Sequence, residues 1–136
     1  MPESLSHKQL VRNLRLWIEK NYQHREVVFL WIDNCPEEGF IQPKRIGSYI
    51  PDVFARCMTD GLEIIGEAKT GNDIQSRHSE EQFIGYLRHC KLNGSLFVLS
   101  IPYLYRAFSK TLIKFLRTEN SAQAANFIII DNLSIK

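Results

Sequence analysis

The stretch "IPDVFARCMTDGLEIIGEAKTG", residues 50–71, is apolar enough for interior strand, yet it carries Asp52, Glu67 and Lys69 among its aliphatic residues. It splits at "MTDG", whose Asp-Gly pair is turn chemistry, into two strand-like runs, "SYIPDVFAR" before and "LEIIGEAK" after, which predicts a hairpin. Successive strand residues point to opposite faces. Glu63, Ile65, Glu67 and Lys69 therefore share one face, and Leu62, Ile64, Gly66 and Ala68 share the other. The face ending in small residues suits a closely packed helix, whereas the first ends in a carboxylate beside an ammonium. Antiparallel pairing through the turn brings Asp52 close to Glu67. Two carboxylates so placed repel one another and raise a pKa unless a divalent cation lies between them, and hard oxygen ligands favour magnesium or manganese.

Working outward, "SLSHKQLVRNLRLWIEKNY" repeats Leu10, Leu14, Trp17 and Ile18 at helical spacing, with Lys8, Arg12 and Arg15 mostly elsewhere. "VVFLWID" reads as a strand and "NCPEEGFIQPKRIG" as turn-rich loop. "SEEQFIGYLRHCKLNG" reads as a second helix stopped at Asn93 and Gly94, "SLFVLSI" as a strand, "YLYRAFSKTLIKFLRT" as a third helix, and "ANFIIID" as a last buried strand. The order α-β-β-β-α-β-α-β predicts an α/β sandwich around a mixed sheet.

At 136 residues and 44% hydrophobic, residues 1–136 are expected to form one domain with a real core. The net charge of +2 and pI near 8.5 neither require nor exclude a polyanionic partner. Cys35, Cys57 and Cys90 are odd in number and outside any CxxC spacing, so they read as reduced packing residues, not as a disulfide framework or zinc site. With no signal-peptide pattern, and with "VVFLWI" the longest apolar run, a soluble cytoplasmic protein without a membrane partner is expected.

"PD" at 51 and 52, followed after fourteen residues by "EAK" at 67–69, resembles the signature of the PD-(D/E)XK nuclease superfamily, and "QFIGY" at 82–86 is similar to the QxxxY helix motif of its RecB-type branch. The element order also matches that superfamily's restriction-endonuclease-like core, and the resemblance covers residues 3 to about 130. It implies a metal-dependent DNA nuclease. Asp52, Glu67 and the backbone carbonyl of Ala68 would hold Mg2+ or Mn2+, and Lys69 would orient the attacking water and stabilise charge on the phosphate. Gln82 and Tyr86 would complete the catalytic face. An acid of the first helix, Glu3 in preference to Glu19, would add a metal ligand. The family implies DNA as partner and a homodimer or a larger nucleic-acid-processing assembly. Without a sequence-reading module, structure or ends are the expected recognition features.

Plainer readings exist for each feature. Glu67 with Lys69 could be a surface ion pair worth under ~1 kcal/mol. The chain could be a nuclease-fold module that binds DNA without cutting it. Ser79-x-x-Gln82 has the form of a capping box, and Tyr86 could simply bury its ring. His7, His24, His78 and His89 lack metal-ligand spacing and read as surface or packing residues. Gly85 within a helical pattern suggests a second backbone passing close by. Lys44 and Arg45, Arg77 and His78, and Arg88 and Lys91 form local basic clusters expected to flank the site.

Overall fold

The computed structural model describes residues 5–35, 38–40 and 44–134. Its elements are helix α1 (Leu5–Tyr22), strands β1 (Val27–Ile32), β2 (Val53–Cys57) and β3 (Glu63–Ala68), helix α2 (Arg77–Asn93), strand β4 (Leu96–Ser100), helix α3 (Arg106–Glu119) and strand β5 (Asn126–Ile130). The five strands form one mixed sheet in sequential order. β1, β2 and β3 pair antiparallel, whereas β3, β4 and β5 run parallel, joined by crossovers through α2 and α3.

Burial on both sheet faces explains why the central strands are nearly continuous hydrophobic runs. On one face α1 lays Leu10, Leu14 and Ile18 against Val53, Ala55, Ile64, Ala68 and Val98. On the other, Phe83, Tyr86 and Leu87 of α2 and Ile113 and Leu116 of α3 cover Phe54, Ile65, Phe97 and Leu99. The strand parity holds: Ile65 packs on the α2 side, Ile64 and Ala68 on the α1 side. Gly66 is where α1 comes closest. A Cβ there would lie 3.1 Å from the Val53 Cβ and 3.3 Å from both Leu14 methyl carbons.

Four expectations need correction. "SYIPDVFAR" does not run as strand from residue 48; Ile46 and Tyr49 exchange backbone hydrogen bonds in a tight turn, and regular β2 begins only at Val53. Pro51 has no N–H to give a ladder. The α2 N-cap is Ser76, whose Oγ accepts from the Ser79 N–H at 3.1 Å, so the Ser79–Gln82 capping box does not form. Ser79 instead donates its hydroxyl to the Asp73 carbonyl. Gly85 faces the Tyr49 ring, 3.6 Å from where a Cβ would stand, and not another backbone. Finally, β5 is an edge strand: Ile129 and Ile130 are buried, but Asn126 is exposed, and among the described residues no strand pairs beyond β5. The Gly94 stop does form, with left-handed φ of 67° and its N–H on the Cys90 carbonyl. Among the described residues, no helix is long and apolar enough to cross a membrane.

Candidate functional site

The β2–β3 register pairs Val53 with Gly66, which sets Asp52 opposite Glu67 at the end of the hairpin remote from its turn. Asp52 lies one residue before β2 but is held as firmly as a strand residue, since its carbonyl accepts from the Asp33 N–H at 2.8 Å. Its Oδ2 accepts the Ala68 N–H at 2.8 Å, and its own N–H points to Glu67 Oε1 at 3.3 Å. Each carboxylate is thus fixed by the neighbouring strand's end.

Lys69 follows β3 directly, with its N–H on the Ser100 carbonyl of β4. Its ammonium lies 3.5 Å from Glu67 Oε2 and donates to Gln82 Oε1. Tyr86, one turn beyond Gln82 on α2, donates its hydroxyl to Glu67 Oε1 at 3.2 Å. Asp52, Glu67, Lys69 and Gln82 are at most 8% exposed, and Tyr86 is fully buried. A surface ion pair is therefore excluded, and Gln82 turns towards Lys69 instead of capping its helix.

Burial, reinforced by the Asp52 charge, pushes the Glu67 carboxyl up to about 8, against the opposing pull of Lys69 and the hydrogen bonds from the Asp52 N–H and Tyr86. The Tyr86 phenol is raised as well, by burial first and then by the two carboxylates. Such a pair of acids in a desolvated corner favours either retained protons or a cation. The side-chain donors are hard oxygens, the carboxylates of Asp52 and Glu67. Among the described residues no group of three or more His, Cys, Asp or Glu side chains is arranged to hold a metal. Mg2+ suits the smaller set, because it keeps several waters and is commonly bound through one or two carboxylates.

The first helix contributes differently from expectation. Glu3 lies outside the described residues. Glu19 sits about 18 Å along α1 from His7 and pairs with Arg15, so it takes no part. His7 does: its Nε2 lies 3.5 Å from Asp52 Oδ2, although its sequence spacing predicts a surface or packing residue. Its only sequence signal is its place one turn before Leu10, at the margin of the buried stripe of α1. Ser100 is a second residue missed, fully buried with its hydroxyl on the Leu10 carbonyl at 2.9 Å, tying α1 to the strand that anchors Lys69.

The basic clusters divide. Arg77 stands in the first turn of α2, on the site side, 3.5 Å from Glu81. Lys44 lies over the Phe54 ring. Arg88 and Lys91 are in the far half of α2, where Arg88 donates to Asn120, so they do not flank the site. Cys57 and Cys90 are buried packing residues outside any disulfide, and burial pushes the Cys90 thiol up to about 12. Compared with protein-family models, with curated proteins and with solved structures, the chain matches none.

Proposed function

We propose that this protein is a Mg2+- or Mn2+-dependent nuclease that hydrolyses phosphodiester bonds in DNA, a PD-(D/E)XK enzyme of restriction-endonuclease-like fold. One observation carries the reading: Asp52, Glu67, Lys69, Gln82 and Tyr86, drawn from two strand ends and a helix, meet in one buried, mutually bonded cluster. A cytoplasmic protein working as a homodimer or within a larger assembly is part of the same proposal.

Asp52 and Glu67 would hold the cation, with the Ala68 carbonyl beside them. When bound, it supplies Lewis-acid stabilisation of charge on the phosphoryl oxygens and acidifies water. The rest is done by the chain. The Ala68 N–H and the Tyr86 hydroxyl fix one carboxylate oxygen each, so neither acid swings away when its neighbour ionises. A lysine ammonium has three N–H donors, and here Gln82 and Glu67 orient two of them. The third is left to direct an attacking water in line with the scissile bond and to neutralise charge developing on the phosphate. His7 lies beside Asp52 on the helix side of the cluster.

The test is incubation with linear, circular, single-stranded, flapped and branched DNA in Mg2+, Mn2+ or chelator. Cleavage that needs the metal and vanishes in Asp52→Asn is expected. Tight DNA binding with no cleavage on any substrate would instead establish the binding-module alternative.

A further inference from the structure

A hollow of about 410 Å3 lies between α1 and residues 33–35, which follow β1. Its lining is apolar at Val11, Leu16 and Ile32 and charged at Lys8, Arg12, Arg15 and Asp33, so basic residues outnumber acidic ones. Two links join it to the site. Val11 stands one turn beyond His7 on α1, and Asp33, also in the lining, donates its N–H to the Asp52 carbonyl at 2.8 Å.

The three cations differ. Arg15 is neutralised by Glu19 at 3.1 Å and Glu38 at 2.6 Å. Lys8 and Arg12 are exposed, and among the described residues neither has a carboxylate partner. They stand one helical turn apart, about 6 Å along the axis, on the same side of α1. Two unneutralised cations in a row beside an apolar recess complement a strand of nucleic acid: successive phosphates along the rim, a base in the hollow.

We propose that this hollow is a nucleotide subsite, in which Lys8 and Arg12 hold the phosphates of the single strand leaving the cleavage site and the Val11–Leu16–Ile32 recess takes one base. The proposal rests on the nuclease reading for its substrate class, and it adds a preference for single-stranded or frayed DNA.

The experiment measures binding of a fluorescein-labelled 20-nucleotide single strand, and of the matching duplex, in chelator across a salt series, so that cleavage plays no part. The variants are Lys8→Ala/Arg12→Ala, Leu16→Trp to fill the recess, and Lys110→Ala/Lys114→Ala on α3 as an equal charge loss elsewhere. Loss of two phosphate contacts should weaken single-strand binding about tenfold and flatten the log–log salt slope by about 1.4. Leu16→Trp should weaken binding several-fold at unchanged slope, and the α3 pair should change neither. Millimolar thymidine monophosphate should fail to displace the strand. If Lys8→Ala/Arg12→Ala binds with wild-type affinity and slope while the wild type still cuts DNA, the subsite is wrong and the nuclease reading stands. A wild type that neither binds nor cuts removes both. Full displacement by the mononucleotide, or tighter binding of duplex than of single strand, overturns the strand subsite.

Discussion

Glu67 carries the sharpest consequence at the scale of single residues. Its folded-state pKa of about 8 lies above the ordinary carboxylate value, so between about pH 4.5 and 8 the native protein keeps a proton that the unfolded chain has released. Metal-free stability should therefore fall as pH rises through that window and level off above it. Glu67→Gln should remove that slope and be more stable than the wild type at pH 8, which denaturant melts at a series of pH values will show. A slope unchanged in Glu67→Gln would mean another group sets it. Lys69→Ala should stop cleavage while leaving metal and DNA affinity largely intact, because a charge acting on the transition state affects rate more than ground-state binding. For Gln82→Glu, a carboxylate against the ammonium would hold Lys69 as an ion pair and draw it off the phosphate. Cleavage should drop at least about tenfold with little change in melting temperature, and wild-type kinetics in that variant would take Gln82 out of the site.

At the level of elements, the position of α1 on the sheet decides whether His7 reaches Asp52. Gly66 sets that distance, since a Cβ would press on Val53 at 3.1 Å and on Leu14 at 3.3 Å. Gly66→Ala should cost about 1–3 kcal/mol by overpacking and should lower activity by shifting α1 relative to β3. Equilibrium unfolding and single-turnover kinetics on the same variant read both effects; a variant as stable as wild type would show that α1 yields freely. At the other helix, Ser76→Ala removes the cap of α2 and should cost about 1 kcal/mol, with Lys69 and Gln82 still in register because Phe83 and Leu87 anchor the helix.

For the molecule as a whole, the two acids come from separate strands and His7 from the helix laid over them, so the proposed cation binding would be coupled to global folding. Mg2+ that binds only the native state should raise stability with the logarithm of its concentration, by about 2.7 kcal/mol at a hundredfold excess over Kd. Thermal melts of wild type and Asp52→Asn across a magnesium series test this. The wild-type melting temperature should climb and that of the variant stay flat. Equal behaviour of the two proteins would reduce the cluster to a structural network.

Much of this was legible in local sequence, because strand alternation is a property of the backbone: the pleat alone assigns Glu63, Ile65 and Glu67 to one face, and the "MTDG" turn sets the pairing that brings Asp52 opposite Glu67. Helical spacing likewise marked Leu10, Leu14 and Ile18 as buried, and put Gln82 and Tyr86 one turn apart. Four things required the folded chain. Ser76 and Ser79 are both good caps with three-residue spacings to a polar group, and the choice fell to Ser76 because the Asp73 carbonyl engages the Ser79 hydroxyl. Gln82 faces Lys69 because α2 crosses the end of β3, and Glu67 is driven towards a proton because α2 and the sheet seal it from water. His7 and Asp52 are 45 positions apart in the sequence, and no local pattern links them; only the seating of α1 against Gly66, with Ser100 bonded to Leu10, brings the imidazole to the carboxylate.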